Sequence, residues 1–95
     1  MLHLVFDFSD NVIFQRLQQQ SGVIFLNNAV LKLLKKSHFE SDLLNLVKTT
    51  PCYVLGDDLI IRGISADLIL EKIELIDYAK FVQLTVENTP IQTWN

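Results

Sequence analysis

The chain opens on Leu2-His3-Leu4-Val5-Phe6, a β-rich run closed by Asp7, and Ser9 and Asp10 stand where they would cap a following helix. The apolar period then changes. Ile13 and Leu17 lie one helical turn apart with Phe14 beside them, while Gln15, Arg16 and Gln18 to Gln20 take the wet side and Gly22 stops the helix. Val23-Ile24-Phe25-Leu26 is a continuous apolar run between Gly22 and Asn27-Asn28, the pattern of a strand buried on both faces of a parallel sheet. A second helix is predicted through Ala29 to Leu34. Ser37 and Glu40 have capping-box spacing, and Phe39, Leu43 and Val47 repeat at helical intervals before Pro51, which predicts a third. Cys52-Tyr53-Val54-Leu55 reads as the next strand, and Gly56-Asp57-Asp58 turns into a short helical stretch whose Gly63 suits a left-handed C-cap. Ile73 to Ile76 reads as the last strand. Asp77 then caps a helix carrying Tyr78, Phe81, Val82 and Thr85, and Asn88-Thr89-Pro90 breaks it before a tail that ends at Trp94.

Strands alternating with helices imply right-handed crossovers and a mainly parallel sheet covered on both faces, so the expected class is α/β, a three-layer α/β/α arrangement. Residues 1–95, at 10.9 kDa, are expected to form a single domain, because chains divide into separate cores only well above this length. The size scaling gives a folded accessible surface of roughly 5,600 Å². With 49% hydrophobic residues the chain fills its core without disulfides or metals, which excludes disorder and a disulfide mini-scaffold. The mean hydropathy of +0.28 adds that leftover apolar surface is to be covered by a partner subunit.

Eight Lys and Arg against eleven Asp and Glu leave a net charge of -3, so no positive field draws the chain to phosphate backbones and direct nucleic-acid binding is not expected. The longest apolar run, Val23 to Leu26, is far below the roughly 20 residues of a membrane span. Asp7 and Asp10 interrupt what would be a signal core, so a cytoplasmic location is expected. A lone cysteine, Cys52, closes no internal disulfide and excludes a cysteine-rich zinc site.

Ligands of such sheets sit at the carboxyl ends of the strands, which points to the loops after Phe6, Leu26, Leu55 and Ile76. None of these loops carries a Gly-rich phosphate fingerprint, so neither a nucleotide nor any other cofactor is expected. Cys52 at a strand start reads as a small buried hydrophobe before it reads as a nucleophile. His3 reads as a hydrogen-bonded strand histidine, since no Ser or Cys stands in discernible relation to it, and His38 as solvated. Asp57-Asp58 reads as helix capping rather than a catalytic or metal pair, and Lys32, Lys35 and Lys36 as the wet face of a helix. Arg62 beside Gly63 has the reach to grip a carboxylate or carbonyl of a neighbour. Phe81 and Trp94 read as core or interface aromatics.

Several of these segments together resemble a known family. Met1-Leu2-His3-Leu4, the stretch from Asp57-Asp58-Leu59 to Arg62-Gly63, and above all IDYAKFVQLTVE from Ile76 to Glu87 with the tail ending in Trp94 resemble the TusB/DsrH family over essentially the whole chain. Ala29 departs from it, standing where members commonly have a glycine. The resemblance implies a DsrEFH-like fold and a place beside TusC-like and TusD-like subunits in a heterohexamer, a dimer of heterotrimers. That assembly passes persulfide sulfur from a TusA-like donor toward a TusE-like acceptor for 2-thiolation of the tRNA wobble uridine, or serves sulfur oxidation in the DsrEFH branch. Sulfur-carrying subunits of the superfamily have a cysteine at a strand end, a short helical stretch before an Arg-Gly pair. Set against Arg62-Gly63, that position falls at or near Leu55, and no cysteine stands in the first helix around Phe14. The resemblance therefore implies a non-catalytic subunit, and the residues themselves offer Arg62, Phe81 and Trp94 as candidate interface positions and no cofactor site. The rival expectation is a sulfurtransferase that uses Cys52 as its persulfide carrier.

Overall fold

In the computed structural model, which describes residues 1–95, the apolar runs become strands of one sheet. Leu2–Val5 forms β1, Ile13–Leu17 the short helix α1, and Gly22–Phe25 β2. A 3-10 segment at Asn27–Lys32 leads to α2 at Glu40–Leu46, then to β3 at Cys52–Leu55 and α3 at Gly56–Ile61. A 3-10 turn at Ala66–Leu68 precedes β4 at Glu74–Ile76, α4 at Tyr78–Glu87 and β5 at Ile91–Trp94. The strand order is β4-β3-β2-β1-β5 and every pairing is parallel. The α/β class is as expected, with a sheet that is parallel throughout. The accessible surface, 5486 Å², is close to what the length scaling gives.

Side-chain alternation along the strands divides the core in two. Val5, Val23, Phe25 and Val54 turn to one face, where α1, α2 and the segment around Ile69 to Ile73 complete a cluster of 19 buried residues. Leu2, Leu4, Ile24 and Leu55 turn to the other, where α4 brings Leu84 and a cluster of 7 results. No helix is long and apolar enough to cross a membrane.

Several local expectations need correction. Ile73 to Ile76 is not the last strand, because the residues read as a tail form β5 on the open edge of β1, with Phe6 N–H donating to the Trp94 carbonyl at 2.8 Å. Ile91 to Thr93 are exposed, so the strand leaves almost no hydrophobic pattern. The helix expected through Ala29 to Leu34 is the 3-10 segment; its Ala29 N–H is drawn to the Phe6 carbonyl at 2.9 Å, which ties this turn to β1 in place of regular helical bonding. An alanine at position 29 thus still allows this backbone contact with the end of β1. The capping box does not close: Ser37 Oγ accepts from Phe39 N–H and Glu40 Oε2 from Lys36 N–H, both ahead of α2. Gly22, expected only to stop a helix, is the buried first residue of β2. Two end signals hold. Asp77 Oδ1 accepts from Lys80 N–H at 2.8 Å, and Gly63, at φ +67°, closes α3 with Gly63 N–H on the Ile60 carbonyl and Ile64 N–H on that of Leu59.

Candidate functional site

Because all strands run one way, their carboxyl ends share one rim of the sheet, and a linked set of polar side chains gathers there. After β2 the backbone turns through Asn27 at φ +56°, a left-handed conformation that Asn tolerates better than most residues. Its N–H donates to Asp58 Oδ2 at 2.6 Å, so Asp58 serves the β2 loop and not the N–H groups of its own helix. Arg62, one turn further along, donates from Nη2 to Asn27 Oδ1 at 2.8 Å and Asn28 Oδ1 at 3.2 Å, and its Nη1 lies 3.6 Å from Asp58 Oδ1. The carboxylate it grips belongs to its own chain. At the end of β1, Lys32 Nζ bonds Asp7 Oδ1 at 2.7 Å and sits 5.1 Å from the Phe8 ring centre. Lys32 is thus tied to a loop acid, while Lys35 and Lys36 are exposed. The Lys32 hydrogen bond, helped by Phe8 N–H, holds the Asp7 carboxyl below its ordinary value.

Beyond β3 and β4 a cleft of about 570 Å³ opens between α3 and α4, walled by Ile60, Ile64 and Leu75 and rimmed by Asp57, Asp77 and Lys80. Gly56 lies at its floor, where a Cβ would meet the Ile76 carbonyl at 3.4 Å. Asp57 faces this cleft while Asp58 turns to Asn27, so the adjacent acids do not act as a pair. No group of three or more His, Cys, Asp or Glu is arranged to hold a metal ion.

The two ends of β3 differ chemically. Leu55 is its last residue, on the carboxyl rim directly before α3 and the Arg62-Gly63 pair. Cys52 is the first residue, about 10 Å away at the rise of a strand. It is 4% exposed, donates through Sγ to the Thr50 carbonyl at 3.4 Å, and burial pushes its thiol up to about 12.

The residues expected at an interface fall in three places. Arg62 is on the carboxyl rim, and Phe81 packs on the α4 side with Tyr78, ring centres 5.9 Å apart. Trp94 packs on the opposite face against the larger cluster. Its indole N–H donates to His3 Nδ1 at 2.9 Å and Arg16 Cζ lies 6.0 Å from the ring centre. His3 is the hydrogen-bonded strand histidine expected, and burial lowers its pKa, with Gln20 partly opposing. His38 is exposed. Sequence reasoning missed Asn27 and Asn28 as partners of Arg62, and it expected leftover apolar surface without locating it. Ile60, Leu75, Tyr78, Val82 and Val86 are all exposed. The signal was present: Tyr78, Val82 and Val86 recur every four residues, a second apolar stripe on α4 beside the buried one.

Comparison with known proteins places this geometry. The model of the family described as DsrH like protein matches residues 7–91. The chain is similar to Protein TusB of Buchnera aphidicola subsp. Baizongia pistaciae, 30% identical over 98 residues, covering 99% of this chain and 100% of that one. Protein TusB of Photorhabdus laumondii is 30% identical over 84 residues, 88% of this chain and 85% of the relative. That of Yersinia enterocolitica is 33% identical over 75 residues, 79% and 76% of the two chains. Among solved structures, a protein of unknown function from Methanobacterium thermoautotrophicum superposes with a TM-score of 0.75 over 97% of this chain and 95% of its own, at 14% identity, which speaks for the fold. With the family match running from just after β1 to the first residue of β5 and relatives aligned nearly end to end, the chain belongs to the TusB/DsrH family.

Proposed function

We propose that the chain is a non-catalytic subunit of a TusBCD-like sulfur relay. It joins TusC-like and TusD-like chains in a heterohexamer that moves persulfide sulfur from a TusA-like donor to a TusE-like acceptor, for 2-thiolation of the tRNA wobble uridine. It works in the cytoplasm, without touching nucleic acid or membrane, and a sister subunit supplies the reactive thiol. The observation that carries this role is the contrast along β3. At the carboxyl end Leu55 has no heteroatom to hold sulfur. At the other end Cys52 is buried with its thiol pushed up to about 12, so on the order of one molecule in 100,000 carries the nucleophilic thiolate at neutral pH. Exposed Ile60, Leu75, Val82 and Val86 support a subunit whose apolar surface is covered by sisters.

The test is co-expression with TusC-like and TusD-like subunits, followed by mass measurement of the assembly and of each chain after treatment with a persulfide donor. One complex should form, with a reductant-labile increment of one sulfur on a sister chain and none on this one. A chain that stays monomeric beside those partners, or that gains a labile sulfur lost in Cys52→Ser, would overturn this role.

A further inference from the structure

β5 is an open edge of the sheet, and its side chains hold it unequally. Ile91, Gln92 and Thr93 are exposed, whereas Trp94 alone reaches the larger core cluster. There its indole Nε1–H donates to His3 Nδ1 at 2.9 Å, with the two rings stacked at 6.0 Å between centres. This bond fixes the proton arrangement of His3. Nδ1 must offer its lone pair, so the single proton of the neutral ring sits on Nε2, which has no hydrogen-bond partner. A second proton can go only to Nδ1. The acceptor then becomes a donor facing the indole donor, and a charge is created at a residue 5% exposed.

Only the Gln20 side chain favours that charge, and burial outweighs it. Arg16 of α1 lies over the Trp94 ring, and the Met1 ammonium stands two residues before His3; both are positive. β2 and β5 set Val23 and Gln92 beside His3 in register, both uncharged. Gln20, after α1, is neutral, and Cys52 on β3 keeps its proton. No carboxylate acts on the ring.

We propose that His3 and Trp94 form a proton-sensitive latch on the last strand: the neutral imidazole holds β5 against β1, and the protonated imidazole releases Trp94 and frees the strand. The latch couples one proton near the start of the chain to the order of residues 91–94. Burial pulls the pKa of His3 below 6.5, so the latch is shut at neutral pH and opens in mild acid. Release takes the Trp94 carbonyl from Phe6 N–H and uncovers the edge of β1.

Trp94 is the sole tryptophan, so its fluorescence reports the latch directly. In the full chain, titration from mildly alkaline to mildly acid pH should give a one-proton step with a midpoint below 6.5. Across it the emission moves to the red and acrylamide quenching rises severalfold, while far-UV circular dichroism holds the helical signal. His3→Asn, which keeps a side-chain acceptor but cannot titrate, should abolish the step, and His38→Gln should leave it in place. If His3→Asn does not fold, the native protein's nitrogen NMR signals take over: protonation of His3 Nδ1 and loss of the indole hydrogen bond must share one midpoint. The latch is overturned by the absence of a step, by a step that persists in His3→Asn, by solvent-like Trp94 emission already at neutral pH, or by an imidazole that titrates without moving the indole signal.

Discussion

The two faces of the sheet are covered very differently. On one, α1, α2 and the segment around Ile69 to Ile73 enclose 19 buried residues, with Phe8, Phe14 and Phe39 packed ring against ring beneath them. On the other, α4 alone supplies the cover and Leu84 is its one buried residue. Parallel sheets are stable when both faces are shielded from water. The thick face meets that condition within the chain. The thin face meets it partly, and its helix turns Tyr78, Val82 and Val86 outward, the last 72% exposed. An asymmetric sandwich of this kind leaves an exposed apolar stripe on the α4 side.

The sharpest way to break the comparison is to open a cavity on each side. Phe25 ends β2, the central strand of the sheet, and is fully buried on the thick face near the Phe8 ring at 6.3 Å. Phe25→Ala should cost about 3–5 kcal/mol in urea unfolding, the range for deleting a buried ring. A loss under about 1 kcal/mol would mean that the thick face is not where stability resides. Leu84→Ala removes the single anchor of α4 and should cost less, about 2–3 kcal/mol, because a rim site relaxes more readily than a central one. Amide exchange sharpens the contrast: α4 should lose protection in Leu84→Ala while α1 and α2 keep theirs. Equal loss in all three helices would erase the distinction between the faces.

Elements set by local chemistry were legible in the sequence on both faces of the sheet. Val23 to Leu26 announces a doubly buried strand by its unbroken apolar run, and the caps at Asp77 and Gly63 depend on local chemistry that tertiary contacts leave alone. What failed depended on distant partners. Asp58 looks like a cap because it opens a helix, yet the Asn27 N–H, 31 positions earlier, claims its carboxylate. β5 has alternation in Ile91-Gln92-Thr93-Trp94, but an exposed edge strand buries too little to set a hydrophobic period. Its determinant is the free edge of β1, which no window around residue 91 contains. Arg62 was legible as a gripping residue, while its partners Asn27 and Asn28 come together with it only when β2 and α3 share a rim.

The smallest expected effect tests whether charge contributes to the thick face at all. Lys32 reaches over Phe8, a member of the larger cluster, to bond Asp7 at 2.7 Å, but both partners are wet, with 29% and 45% of their side chains exposed. Exposed pairs of this kind are worth about 0.2–1 kcal/mol. Asp7→Asn should therefore lower stability by no more than about 1 kcal/mol at neutral pH. The sign of the pH dependence follows from the depressed carboxyl. The contribution is complete above the ordinary Asp value of 3.8 and fades as pH falls through the lower folded value, so native and variant curves should converge in acid. Added salt should narrow the gap as well. A gap above about 2 kcal/mol, or one that widens in acid, would make the rim ion pair a structural element comparable to the apolar packing of α4 and so blur the division between the two faces.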